Sequence, residues 1–203
     1  MSQKNKYIYR LLSNTYFYSI FQRIMLGTSF RSKIVKKFKK KENVNVLDVG
    51  GGPAEILESL PKVNYFGYDI NPNYINYAKN KYYNKGKFFC KKFSKKEIKK
   101  LPKFDHVLLL GILHHLNDEE IASLMKLIKK VLKKNGNIIT EDPIFLKKQN
   151  PIAKIIITMD RGENVRSKTE YIKLIKKYFT KIKTYIYHQK FIPYTWYVMT
   201  CKN

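Results

Sequence analysis

A glycine-rich turn between an apolar stretch and a helical pattern constrains the fold of this chain more than any other feature. The stretch VNVLDVGGGPAEILESLP spans residues 44–61 and holds three of the 9 glycines among 203 residues. Glycines let the backbone turn through positive φ, and they leave room for a ligand beside the main chain. A strand, a tight turn and a helix N-terminus are typical of α/β proteins that bind a nucleotide. The sequence therefore predicts a nucleotide site at Gly50, Gly51 and Gly52.

The rest of the chain alternates between strand and helix patterns. After the first strand, further strand patterns lie at residues 63–70, 86–90, 104–113, 135–145, 181–189 and 194–202. Helix patterns lie between them, at residues 53–60, 71–83, 117–134 and 168–179. Alternating strands and helices predict a mostly parallel sheet, and the final strand pair predicts an antiparallel edge. We therefore expect an α/β, Rossmann-like doubly wound sheet of seven strands with an antiparallel last strand and helices on both faces.

The residues around the turn narrow the choice of nucleotide. A dinucleotide fingerprint needs a third glycine where this chain has Glu55, and no Gly-Lys-Ser/Thr of a phosphate-binding loop follows. A carboxylate at that position would repel a pyrophosphate. S-adenosylmethionine carries no phosphate, and its ribose diol favours a carboxylate such as Asp69, which ends the second strand. Its cationic amino and sulfonium groups favour nearby acids such as Asp48, so S-adenosylmethionine is the predicted cofactor.

Four segments of the chain, in order and in register, resemble the class I S-adenosylmethionine-dependent methyltransferases. They read VLDVGGGPAEIL, YFGYDINPNYINYAK, FDHVLLLGILHHLNDEE and VLKKNGNIITEDP, within residues 44–145. The resemblance implies that Gly50, Gly51 and Gly52 pass under the methionine part of the cofactor and that Asp48 binds its amino group. It further implies that Asp69 holds the ribose hydroxyls.

The same resemblance assigns the adenine and methionine contacts. Ile70 is expected to pack on the adenine ring, and Gly111, after the fourth strand, to face the methionine moiety. The acidic residue that members often place at the adenine amino group is missing from CKKFS, residues 90–94. Backbone atoms of Phe93, or else Ser94, would then contact the adenine edge.

Two consecutive histidines follow the central strand, where α/β sheets open their binding crevice. Transfer of a methyl group to an oxygen requires loss of a proton, for which an imidazole is a suitable base. Consecutive loop residues point in different directions, so at most one of the pair faces the substrate. We favour His115 over His114 as the base, and the alternative is that both only pack or hydrogen-bond within the loop.

Two scarce arginines and an acidic pair are the other candidates for substrate contacts. Arg161 and Arg166 could grip an anionic acceptor with two planar forks, or could pair with Asp160 and Glu163 to pin the segment to the core. Glu141, together with its neighbour Asp142, ends the fifth strand and could contact substrate or cap the next segment. No spacing of histidine, cysteine or acidic residues predicts a metal site.

The flanking segments resemble a narrower bacterial subgroup of these methyltransferases, whose members often lie among genes for surface-polysaccharide and other small-molecule biosynthesis. Its mark here is DRGENVR, residues 160–166. We expect one methyltransferase domain over residues 1–203, divided into N-terminal lid helices (1–40), a cofactor-binding core (44–145), an insertion and helix (146–180) and a terminal strand pair (181–203). The predicted reaction is methyl transfer to oxygen or nitrogen of a small, anionic or sugar-linked acceptor.

The charge balance leaves two alternatives open. The formal net charge is +26, and all but five of the 41 basic residues are lysine. Compositional drift would produce dispersed lysines, whereas a nucleic-acid or other polyanion partner would also favour a basic chain. A methyltransferase for RNA or another polyanion, and a non-catalytic S-adenosylmethionine-binding protein, are therefore retained as alternatives. Two unpaired-looking cysteines and no long apolar run suggest a cytoplasmic protein, and no feature predicts the oligomeric state.

Overall fold

The fold was analysed in a computed structural model, which describes residue 38 and residues 43–158, 162–189 and 193–203. The predicted N-terminal lid helices, residues 1–40, lie outside the described residues except for Phe38. That side chain is buried and packs against the ring of His106, with 4.3 Å between the ring centroids.

Seven strands form one twisted sheet. They are β1 (Asn45–Val49), β2 (Asn64–Asp69), β3 (Gly86–Cys90), β4 (Phe104–Leu110), β5 (Leu132–Pro143), β6 (Lys181–His188) and β7 (Thr195–Lys202). The strand order is β3-β2-β1-β4-β5-β7-β6, in which β7 runs antiparallel to both of its neighbours and the other pairings are parallel. The predicted mixed, mostly parallel sheet is therefore confirmed. Its order reverses at β1, which lies between β2 and β4, so the crevice at the carboxyl ends of the strands opens there.

In the described part of the chain, five α-helices accompany the sheet, and several of them begin at a residue whose side chain caps the helix. They are α1 (Pro72–Lys81), α2 (Lys95–Ile98), α3 (Asp118–Val131), α4 (Pro151–Thr158) and α5 (Lys168–Ile175). Asn71 caps α1 by accepting from the Asn73 amide, and Asn117 forms a capping box with Glu120 at the start of α3. Acids in the first turn of α3 and lysines in its last turn complement the helix dipole.

The predicted helix after the glycine turn is wrong in type and in length. The chain forms a single turn of 3-10 helix over Glu55–Glu58, with Ala54 in the left-handed region at a φ of 59°. The Ala54 amide donates to the Gly51 carbonyl, which closes a turn where a helix beginning at Pro53 would have to run. Glu55 is buried and accepts hydrogen bonds from Tyr77, Lys81 and Tyr82, so its carboxylate serves the packing of α1.

Alternate residues of each strand face two different hydrophobic cores. Leu47 of β1 packs with Val107 and Ile138 against α3 and α5, whereas its neighbour Val46 packs with Leu108 on the face that carries α1. This period of two is what a sheet buried on both faces requires. Helices therefore cover both faces, and the carboxyl ends of the strands are left for the site. In the part of the chain that the structure describes, no helix has the length and apolar character to cross a membrane.

Candidate active site

The glycine turn follows β1 and is hydrogen-bonded to the end of β2. Gly50 and Gly52 have φ values of 71° and 55°, which side-chain-bearing residues rarely adopt. The Tyr68 carbonyl accepts from the amides of Gly50, at 2.8 Å, and Gly51, at 3.3 Å. The turn is thereby held against the carboxyl end of β2, where Asp69 follows.

A buried carboxylate lies directly beneath this turn. Asp48 is 1% exposed, and its Oδ2 accepts a hydrogen bond from the Tyr65 hydroxyl at 2.6 Å. A Cβ atom at Gly51 would lie only 2.8 Å from that Oδ2, so the missing side chain makes room for the carboxylate. Among the described residues, Asp48 Oδ1 has no hydrogen-bond partner.

Burial dominates the protonation of this carboxylate. Loss of hydration raises the pKa of Asp48 from 3.8 to about 7, the Tyr65 hydroxyl opposes the rise, and the charge of Asp69 adds to it. A buried acceptor without a partner is expensive unless a ligand satisfies it. A cationic group beside Oδ1 would restore the ionised form, which fits the amino group of an amino-acid ligand.

Asp69 and Ile70 lie at the end of β2 in positions suited to a nucleoside. The carboxylate of Asp69 accepts from the Gly52 amide at 2.9 Å and from the Asn71 amide at 2.8 Å, so its orientation is fixed. Burial raises the pKa of Asp69, and the backbone amides counteract part of that rise. Each carboxylate oxygen keeps a second acceptor position for a hydroxyl group. Ile70 is 74% exposed and leaves an apolar surface next to Asp69 at the end of β2.

The remaining predicted cofactor residues complete the same edge. The Phe93 side chain is buried edge-to-face against Tyr68, so only the backbone of Phe93 is left to meet a ligand, as the sequence predicts. Gly111 follows β4 with a φ of 74°, and its amide donates to the Glu141 carbonyl at 2.7 Å. Turns after β1, β2 and β4 thus converge on the point where the strand order reverses.

The two histidines lie in different environments. His114 is buried, and its Nδ1 is 2.9 Å from Asp142 Oδ1, which also accepts from the His114 backbone amide at 3.1 Å. His115 is exposed, with its ring centroid 4.1 Å from that of His114. Burial raises the pKa of Asp142, whereas the hydrogen bonds from His114 oppose that rise. The sequence analysis favours His115 over His114 as the base, whereas the hydrogen bond between His114 and Asp142 supports the opposite order.

Glu141 faces away from Asp142 and pairs with a tyrosine. Its side chain is buried, and it accepts a hydrogen bond from the Tyr187 hydroxyl of β6. Burial and the charge of Glu141 raise the pKa of Tyr187 far above its usual range. In this structure the carboxylate of Glu141 therefore links β5 to β6 across β7.

Of the predicted arginine pair, Arg161 lies outside the described residues. Arg166 is 8% exposed and binds Asp118 through Nε and Nη2, at 3.1 and 2.7 Å. Its acidic partner among the described residues is Asp118, which was not among the acids, Asp160 and Glu163, considered as alternatives to an anionic acceptor. The contact supports the alternative in which Arg166 pins its segment to the core.

Sequence reasoning missed two partners of the acidic residues. Tyr65 lies on β2 two residues before Gly67, which pairs with Asp48, so the period of two could have placed both on one face of the sheet. The pairing of His114 with Asp142 required the geometry of a loop, which no periodicity reports. Nδ1 of His106, on β4, lies 2.6 Å from Asn137 Oδ1 on the neighbouring β5.

The sequence matches a known protein family. A family described as "Methyltransferase domain" matches residues 40–198 of this chain, and the chain belongs to that family. The predicted methyltransferase class is thereby confirmed.

Similarity to individual proteins is more distant. The chain is 28% identical over 174 residues to indole glucosinolate O-methyltransferase 5 of Arabidopsis thaliana, covering 75% of this chain and 44% of that protein. It therefore spans less than half the length of that relative.

Two solved structures share the fold. Human N-acetylserotonin methyltransferase in complex with SAM has a TM-score of 0.67 at 17% identity, over 97% of this chain and 58% of that one. Magnesium protoporphyrin IX methyltransferase from Synechocystis PCC 6803 with bound SAH has a TM-score of 0.63 at 16% identity, over 98% and 99% of the two chains.

Proposed function

We propose that this protein transfers the methyl group of S-adenosylmethionine to an oxygen or nitrogen atom of a small, anionic or sugar-linked acceptor. The observation that carries the proposal is the buried His114–Asp142 pair at the same sheet edge as the glycine turn, Asp48 and Asp69. A proton acceptor and a nucleoside-binding edge are the two parts that such a transfer needs. Membership in the methyltransferase domain family supports the reaction class.

The residues present fit S-adenosylmethionine. Asp48 offers a buried acceptor to the amino group, Asp69 offers a fixed carboxylate to the ribose hydroxyls, and exposed Ile70 offers an apolar surface to adenine. Gly50, Gly51, Gly52 and Gly111 would border the methionine part, with the backbone of Phe93 near adenine. The SAM and SAH bound in the two solved structures of this fold support the same cofactor.

In this proposal, side chains of the protein remove the proton from the acceptor. When bound, S-adenosylmethionine supplies an electrophilic methyl group on its sulfonium. Asp142 accepts the Nδ1 proton of His114, which leaves Nε2 as the atom that takes a proton from the acceptor. The carboxylate also stabilises the imidazolium that results. His115 is the alternative base, as an exposed neighbour in the same turn.

The nature of the acceptor is argued from charge and from similarity. A net charge of +26 would attract an anionic small molecule to the crevice. Since Arg166 is engaged with Asp118, Arg161 is the member of the pair left to bind an acidic group. The DRGENVR element and the resemblance to enzymes of polysaccharide and small-molecule clusters support a sugar-linked acceptor, and the named O-methyltransferase relative supports an oxygen atom.

The test is a radiolabelled-methyl screen. Purified protein and labelled S-adenosylmethionine are incubated with fractions of anionic sugars, small acids, neutral metabolites and transfer RNA. We expect label in the anionic small-molecule fractions, and its loss in His114→Ala although that variant still binds the cofactor. Label in RNA alone would contradict the small acceptor, and cofactor binding without transfer to any fraction would favour the non-catalytic alternative.

A further inference from the structure

The segment 162–166 wraps around the loop that carries the two histidines. We call residues 113–118 the histidine loop. The Asn164 amide donates to the His114 carbonyl at 2.9 Å, and Ile144, just after β5, forms a parallel bridge with Arg166. The segment thus joins the histidine loop to the strand whose end carries Asp142.

Arg166 uses its whole guanidinium in this contact. Its Nη1 donates to the carbonyls of Leu113 and Asn164, and its Nη2 donates to the Leu116 carbonyl and to Asp118. Nε donates to the same Asp118 oxygen, so all five N–H donors of the side chain have acceptors. The ring of Tyr171 lies 5.9 Å from the guanidinium carbon and completes its enclosure.

Arg166 binds carbonyls at both ends of the 3-10 turn Leu113–His115. The Leu113 carbonyl already accepts from the Leu116 amide at 3.2 Å and gains Arg166 as a second donor, whereas the Leu116 carbonyl lies at the carboxyl end of the turn, where carbonyls have few partners within the helix. A cation at that end also opposes the negative end of the helical dipole. The position and tilt of the turn therefore depend on a planar, five-donor cation, which lysine cannot reproduce.

Gly162 contacts the imidazole from the other side. A Cβ atom placed on Gly162 would overlap Cδ2 of the His114 ring and would also lie 2.9 Å from the His114 carbonyl oxygen. The backbone of residue 162 is thus in direct contact with His114, and any side chain there would displace the ring. Glycine and arginine, four residues apart, restrain the same histidine from two directions.

We infer that Gly162 and Arg166 are positioning residues for His114, which they hold in the one orientation that lets Asp142 fix its proton on Nδ1. The inference rests on the proposed function for its catalytic consequence, but not for its structural content. It also gives a physical role to the DRGENVR element, whose glycine and final arginine make the contacts. Neither residue needs to contact the cofactor or the acceptor.

The first experiment measures the tautomer of the His114 imidazole. Long-range proton–nitrogen NMR correlation spectra report which imidazole nitrogen of His114 carries the proton, and they need no acceptor. We expect a single Nδ1-protonated tautomer in the wild type and a mixture of tautomers in Arg166→Lys and in Gly162→Ala. Glu163→Gln, at an exposed position of the same segment, is the matched control and should keep the wild-type spectrum.

The second experiment reads the rate with the acceptor found in the screen. Misplacement of a reacting group by about 1 Å costs roughly 100-fold, so we expect kcat of Arg166→Lys to fall about 100-fold. KM for S-adenosylmethionine should change less than about threefold, because the cofactor residues lie elsewhere on the edge. Wild-type spectra together with a wild-type kcat in folded Arg166→Lys would overturn the inference.

Two further outcomes separate this inference from the proposed function. In the first outcome, neither the wild type nor any variant transfers a methyl group, but the His114 tautomer still changes in Arg166→Lys. The proposed function then fails, and the positioning role of Arg166 holds. If Arg166→Lys does not fold, the same spectra of Gly162→Ala and Asp118→Asn decide, since the first places a methyl group against the His114 ring, the second weakens one contact of Arg166, and both leave the arginine in place. Unchanged spectra in both would overturn the inference.

Discussion

Replacing Asp48 by asparagine should stabilise the folded protein at neutral and higher pH while it weakens cofactor binding. Burial raises the pKa of Asp48 from 3.8 to about 7, whereas the unfolded chain keeps a pKa of about 3.9. Between these two values the folded protein holds a proton that the unfolded chain has released. The stability contributed by this group is therefore highest at low pH and is lost as pH rises through that window.

The magnitude follows from the size of the shift. About three pKa units at about 1.4 kcal/mol each give a penalty of about 4 kcal/mol once pH exceeds 7. Asparagine removes this charge but forms a weaker bond with the Tyr65 hydroxyl, which costs about 1 kcal/mol. We therefore expect Asp48→Asn to raise the free energy of unfolding by about 3 kcal/mol at pH 8, with no gain near pH 4.

Urea unfolding of the cofactor-free wild type and Asp48→Asn, at about pH 4.5, 6 and 8, measures this difference in the free energy of unfolding. These pH values bracket the pKa shift of about three units. Calorimetric titration with S-adenosylmethionine on the same samples should show weaker binding in the variant. The matched control is Asp105→Asn, whose carboxylate binds Lys133 at 2.8 Å and has a lowered pKa. Because its pKa is lowered, the ionised form of Asp105 stabilises the folded protein, in contrast to that of Asp48. Asp105→Asn should therefore lose a little stability at neutral pH and none at low pH.

The pH dependence of the stability change in Asp48→Asn tests whether the buried charge is its cause. A gain from Asp48→Asn that is the same at all three pH values would show that its charge is not the cause. An equal or lower stability of the variant at pH 8 would refute the reasoning from burial altogether.

Four other substitutions test the site. Asp69→Ala should abolish measurable S-adenosylmethionine binding in calorimetry, since the carboxylate fixes the turn and, in the proposed function, holds the ribose; micromolar binding would contradict that role. Ile70→Ser should weaken the same binding about tenfold, because roughly 50 Å² of apolar contact is worth about 1.3 kcal/mol; an unchanged affinity would exclude the adenine contact. His114→Ala should lower kcat by roughly 100- to 10,000-fold with cofactor affinity kept, and His115→Ala by far less; the reverse ranking in a labelled-methyl assay would return the base to His115.

Much of the fold was predictable because local signals and topology agree. Strand patterns of period two, separated by helices with Asn71 and Asn117 at their caps, determine the alternating units. The final strand pair predicted an antiparallel edge, whereas the position of β7 between β5 and β6 became known only from the structure. The helix after the turn was mispredicted because Pro53 at a first helical position is a local signal, whereas left-handed Ala54 is set by the closure of the turn.

The candidate site was predictable only in part, because local sequence signals do not report contacts between distant segments. Acids and glycines at strand ends can be read from spacing, because the carboxyl ends of parallel strands meet at one edge. Partners that come from distant segments cannot: Asp142 for His114 and Asp118 for Arg166 are 28 and 48 residues away. The burial that raises the pKa of Asp48 likewise depends on the packed sheet rather than on its neighbours in sequence.

The outer strands give some of the many lysines a use that is independent of any ligand. β3 and β6 end the sheet on its two sides, and each presents exposed lysines, namely Lys87 on β3 and Lys181 and Lys183 on β6. An open strand can pair with the strand of another molecule, and charged side chains oppose such addition. The positive charge along both borders of the sheet therefore protects the protein against strand-to-strand aggregation, whatever drove lysine into the rest of the chain.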